Sequence, residues 1–168
     1  MPLMSKKLVL LNYVHGMWNH GLQKESLPFL LDAYGEHLSP REFSYHLAVA
    51  QKLIRHLHSS GGEQDLIQRT FSEIFRDVNE IELPAVHHAA AAAFFINFLD
   101  LLGQQMAIDA AHAQYKKAIV GSKKEALPAT QLNEFCAQYR KFLADFVAAR
   151  DSQQTRTLMK EAACPSAG

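Results

Sequence analysis

Nine histidines stand out among the side chains that could do chemistry: His15, His20, His37, His46, His56, His58, His87, His88 and His112. Imidazole is the commonest metal ligand and titrates near neutral pH, so two chemistries are open to it. A helical bundle that holds metal presents a carboxylate three residues before a histidine, which turns both ligands to one side. Asp109-x-x-His112 has that spacing, and His88 stands on another apolar helix. Glu42 and His46, four residues apart, also share a helix face. A second Asp/Glu-x-x-His pair and supporting glutamates are missing, so the metal reading stays an alternative and no cofactor is expected. Protonating all nine histidines would carry the formal charge from 0 to +9, enough for a pH response if some of them are held neutral inside the fold. The other nucleophile candidate, Cys136, lies on an apolar stripe and reads as core filler rather than a reactive thiol.

These residues must be placed by helices. β-branched residues are few, strict alternation is absent, and 3.6-residue periodicity recurs along the chain. The expectation is an all-α fold: one bundle of about six helices over residues 1–150, followed by a weakly ordered extension, 151–168. A first helix over about 3–18 places Leu10, Tyr13, Val14 and Met17 on one side. A second runs over about 28–38 with Leu27, Leu30, Leu31, Tyr34 and Leu38. Ser39-Pro40-Arg41-Glu42 predicts a capping box opening a third helix, whose stripe is Phe43, Leu47, Ala50, Ile54 and Leu57. A fourth, about 63–80, repeats the step with Ile67, Phe71, Ile74 and Val78. The stretch after Pro84 carries alanines and phenylalanines all round, and predicts a central apolar helix over about 85–102, breaking near Gly103. A last helix over about 130–150 is built on Leu132, Phe135, Cys136, Tyr139, Phe142, Leu143, Phe146 and Val147. Pro165-Ser166-Ala167-Gly168 reads as a frayed tail.

Composition narrows the function classes. The 48% hydrophobic and 20% charged content is that of a globular chain, and 17 basic residues balance 17 acidic ones. No global field draws the chain to nucleic acid or an anionic membrane. Polar His87, His88, Asn97 and Asp100 interrupt the one stretch apolar enough to suggest a membrane span. Two cysteines make no disulfide framework and fit a reducing compartment, so the cytoplasm is expected. Phosphate-cradling glycine loops, nucleophile elbows and His-Glu-x-x-His helices are all missing from the sequence, and no catalytic residue is assigned.

Direct DNA binding stays possible through Lys116-Lys117, Lys123-Lys124 and Arg140-Lys141, or through a helix-turn-helix made of the second and third helices. Phe98-Leu99 to Gly103, Ile108-Asp109-Ala110 and Tyr115 resemble a stretch of the larger subunit of the flagellar master transcription regulator. That family's cysteine cluster is missing here, and the resemblance is set aside. The favoured expectation is a non-enzymatic protein-interaction module, a regulator, adaptor or inhibitor. Leu11, Trp18, Leu22 and Phe29 fall off the main stripes, which predicts a partner or homodimer surface on the first two helices, anchored by the two aromatics.

Overall fold

The computed structural model describes residues 4–59, 61, 64–147, 153–162 and 164. The frayed tail 165–168, the end of the last predicted helix beyond 147 and part of the turn at 60–63 lie outside these residues. The fold is all-α. Nine α-helices occur among the described residues, against the six or so expected. By its contacts the chain divides into two compact units, residues 1–83 and 84–168.

The first unit holds α1 (Lys6–Asn19), α2 (Gln23–Tyr34), α3 (Phe43–Ser59) and α4 (Gln64–Glu80). Ser5 caps α1, its hydroxyl accepting from the Leu8 amide at 3.2 Å. Gly21 ends the helix with φ +75°, letting the Leu22 amide reach back to the Met17 carbonyl. Two expectations change here. Helix α2 starts at Gln23, five residues early, and carries Pro28 inside it. The capping box at Ser39 does not form: Pro40–Glu42 is a 3₁₀ turn, the Ser39 side chain makes no capping bond, and Glu42 accepts instead from the Ser5 amide and hydroxyl. A tertiary partner has outbid the local one. The stripes of α3 and α4 are buried as the periodicity predicts, from Phe43 to Leu57 and from Ile67 to Val78.

The second unit holds α5 (Ala85–Ile96), α6 (Leu99–Leu102), α7 (Gln104–Lys124), α8 (Ala129–Phe142) and α9 (Gln153–Glu161). The predicted helix over 85–102 is broken at Asn97–Phe98, and Gly103 (φ +90°) then turns the chain into α7. Nor is α5 surrounded on all sides. Val86, Ala90, Ala93 and Asn97 are exposed, while Ala85, His88, Ala89, Ala91, Ala92, Phe94 and Phe95 face inward. Leaving alanine in water forfeits little burial energy, so an alanine-rich helix can present one face to solvent. Small residues let α5 and α7 pack closely: Ala107, Ala111 and Ala118 are fully buried, and a Cβ on Gly121 would sit 3.3 Å from that of Ala85. The Glu125 carboxylate accepts from the Ala85 amide at 2.9 Å, satisfying a donor at the start of α5. At this C-terminal end of α7 the amides of Ala126 and Leu127 return to Lys123 and Ser122, with Ala126 at φ +54°. Helix α8 runs into a π turn at Leu143–Val147. The extension, expected to be weakly ordered, carries α9.

Candidate functional site

Helical geometry sets the arrangement on α1. At 100° per residue, Lys7, Leu11, Val14 and Trp18 share one side, and Val9 and Tyr13 point the opposite way. The interior accepts the first side. Leu11 and Val14 are both 2% exposed, and Lys7 is completely buried. Val9 and Tyr13 are 51% and 57% exposed. The face expected from sequence, Leu10-Tyr13-Val14-Met17, is therefore rotated, because a lysine occupies a position that packs inward.

Lys7 is buried among charges from α3 and α4. Its Nζ lies 3.4 Å from Asp77 Oδ2 and 3.6 Å from Glu73 Oε1. His46 Nδ1 stands 2.8 Å from the same Asp77 oxygen, close enough to pair but not aligned as a full hydrogen bond. Arg76 completes the group, 3.1 Å from Glu73 and 3.6 Å from Asp77. Its guanidinium also donates to the carbonyls of Tyr34 and Glu36 at 3.0 and 2.8 Å, covering the orphan end of α2. With His46 neutral, two cations face two carboxylates and the charge cancels.

The titration of each group follows from this enclosure. Burial pushes the Lys7 ammonium below its ordinary value, with Asp77 and Glu73 pulling the other way. Burial holds His46 low, reinforced by Lys7 and Arg76 and opposed by Asp77. Burial alone would raise Asp77, but His46, Lys7 and Arg76 together outweigh it and hold the carboxyl low. For Glu73 burial prevails and the carboxyl is raised. Lys7, His46 and Asp77 are each no more than 1% exposed. A substrate has no approach to them, so the cluster fixes α1, α3 and α4 together rather than performing chemistry on a ligand.

The outward side of α1 is different in kind. Val9, Leu10, Asn12 and Tyr13 line a shallow hollow with Phe29 of α2. The Tyr13 and Phe29 rings meet edge to face, 4.9 Å between centroids. Asn12 accepts from the Tyr45 hydroxyl of α3.

The residues singled out from sequence fall into several settings. Leu11 belongs to the core, which corrects its assignment to a partner surface. Trp18 is likewise engaged internally: its indole N–H donates to Ser26 Oγ at 2.7 Å, and its ring lies 4.7 Å from that of His56. Leu22, which precedes α2, is 41% exposed, and Phe29 is half-buried beside Tyr13. The metal alternative loses its ligands to other partners. Glu42 is taken by Ser5 and His46 by Asp77, both in the first unit. In the second unit His88 Nδ1 pairs with Gln114 Oε1 at 2.6 Å, His112 lies against the rings of Tyr139 and Phe142, and Asp109 accepts from Gln105. Among the described residues no group of three His, Cys, Asp or Glu side chains is placed to hold a metal ion. The helix-turn-helix alternative also loses its compact turn, since residues 35–42 separate α2 from α3.

Two features escaped the sequence reading. One is the charge cluster, whose signal was the spacing of Lys7 with Leu11 and Val14. The other corrects the reading of the cysteines: Cys136 and Cys164 form a disulfide, with Cα atoms 5.8 Å apart. No described helix is long and apolar enough to cross a membrane. The chain matches no protein-family model, no curated protein and no solved structure.

Proposed function

We propose that the chain acts by binding a protein partner through the outward face of α1 and the neighbouring part of α2. The observation that carries this reading is the apolar group formed by exposed Val9 and Tyr13 with half-buried Phe29. Large apolar side chains scattered singly on a surface need no explanation, but grouped ones suggest a contact awaiting a partner. An exposed tyrosine held edge to face on a phenylalanine is already ordered, so little side-chain entropy remains to be lost on docking. The buried cluster beneath supports the same reading, because it fixes α1 and so holds the outer face in one orientation. Val9 and Tyr13 replace Trp18 as the anchors, with Phe29 retained.

A photocross-linking residue in place of Tyr13 tests this. It is expected to trap a partner in the native cell, and Val9→Asp is expected to abolish the product. Val9→Asp itself is expected to alter stability by less than about 0.5 kcal/mol, as for an ordinary surface change. The mass of the product and analytical ultracentrifugation decide whether the partner is a second copy. The reading fails if no product forms, or if Val9→Asp unfolds the first unit.

A further inference from the structure

We propose that the Cys136–Cys164 disulfide is a site of thiol–disulfide exchange, and that a small thiol of the glutathione class, by opening it, releases α9 from the second unit. The two sulfurs are unequally placed. Cys136 lies on α8 and is fully buried, whereas Cys164 follows α9 and is partly exposed. An incoming thiolate therefore meets Cys164 first. It attacks Cys164 Sγ and forms a mixed disulfide there; the S–S bond breaks, and Cys136 leaves with the electron pair and takes a proton from water. A second thiol attacks the mixed disulfide on its non-protein sulfur, freeing the Cys164 thiolate. Two thiols are oxidised to their disulfide and the protein gains two thiol groups.

Little of α9 is buried. Within the helix only Thr155 is buried, and its side chain approaches the Tyr139 phenol without the alignment of a full hydrogen bond. Ala162 is buried just beyond the helix, and Lys123 Nζ donates to the Glu161 carbonyl at 2.9 Å. The remaining side chains are mostly polar, QQTRTLMKE in sequence, and a nine-residue helix of that kind is not stable alone in water. The covalent tie therefore decides whether α9 stays. The rest of the unit has its own core in α5, α7 and α8, with Phe95, Phe98, Ile119 and Phe142 buried, and does not depend on α9 for it. Release would uncover Tyr139, which stacks at 6.0 Å on Tyr115 and at 6.5 Å on Phe142.

The test uses the full chain, purified without reductant, treated with reduced glutathione and followed by mass spectrometry and amide hydrogen exchange. The expected first product is a glutathione adduct on Cys164 and not on Cys136. On full reduction, exchange over residues 153–162 is expected to rise by at least about tenfold, while α5 and α7 keep their protection. Cys164→Ser is expected to show the fast exchange without any thiol, and no further response to glutathione. The proposal is overturned if glutathione leaves the bond intact in the native protein, or if residues 153–162 stay protected after reduction and in Cys164→Ser. It is equally overturned if reduction unfolds α5, α7 and α8 as well, since the bond would then be a staple of the whole unit.

Discussion

The two units differ in what they bury beside their apolar residues. In the first, a lysine, a histidine and two carboxylates are buried between α1, α3 and α4. In the second, alanines bring α5 and α7 together and a run of phenylalanine and tyrosine rings packs the remainder. A buried ion cluster gains little over apolar packing in net stability, because desolvating the charges offsets their attraction. What it does supply is direction: Lys7 reaches Asp77 and Glu73 with one side of α1 turned inward. The proposed contact surface lies on the helix so oriented. The second unit is tied by a bond that chemistry can open.

The largest expected effects set one unit against the other. Asp77→Ala would leave Lys7 and His46 buried without their shared carboxylate, and is expected to cost about 3–5 kcal/mol in the first unit. Phe95→Ala, at a fully buried position, is expected to cost about 3–5 kcal/mol in the second. Equilibrium denaturation of the two variants at several pH values separates the causes. The Asp77 loss should vary with pH and the Phe95 loss should not; equal pH profiles would mean that the cluster contributes packing alone.

A smaller effect follows from His46. Burial lowers its folded pKa below the unfolded value of about 6.5, so the unfolded chain binds the proton more readily. The stability that a neutral His46 permits is complete above that value and is lost as pH falls below it. Asp77, held low, adds to the loss only at pH values below the ordinary carboxylate range. Glu73, held high, acts in the opposite sense, because the folded form takes up its proton first. Amide exchange of α4, corrected for its intrinsic pH dependence, is expected to quicken between pH 7 and pH 5. His46→Asn should remove most of that change. His87 and His88, also lowered by burial, give the second unit an acid response of its own, and His46→Asn should leave that response untouched.

The smallest expected effect sharpens the account of α5. Val86 lies on its outward face and is 43% exposed. Val86→Ser is expected to change thermal stability by less than about 0.5 kcal/mol. A loss near that of Phe95→Ala would restore the all-round burial that the sequence predicts.

Periodicity alone determined the all-α class and the inward faces of α3 and α4. A stripe repeating every three or four residues over a dozen or more positions has one way to leave water, and Phe43 to Leu57 and Ile67 to Val78 took it. Where the pattern was weak, the interior chose. Helix α1 is apolar on several sides, so its rotation was settled by Lys7 finding two carboxylates from α4, residues 66 and 70 positions away. The capping box at Ser39 yielded for a similar reason, Glu42 meeting Ser5 from 37 residues earlier. Histidine spacing raised a metal alternative that only the fold could examine, since whether ligands converge depends on which helices meet. The cysteines were the least legible: a separation of 28 residues says nothing about distance in space, and α9 brought Cys164 to Cys136. Local sequence fixes which residues share a face, because helix geometry is the same everywhere. Which face is buried, and against which charge or sulfur, depends on partners distant in the chain and is decided only when the helices pack.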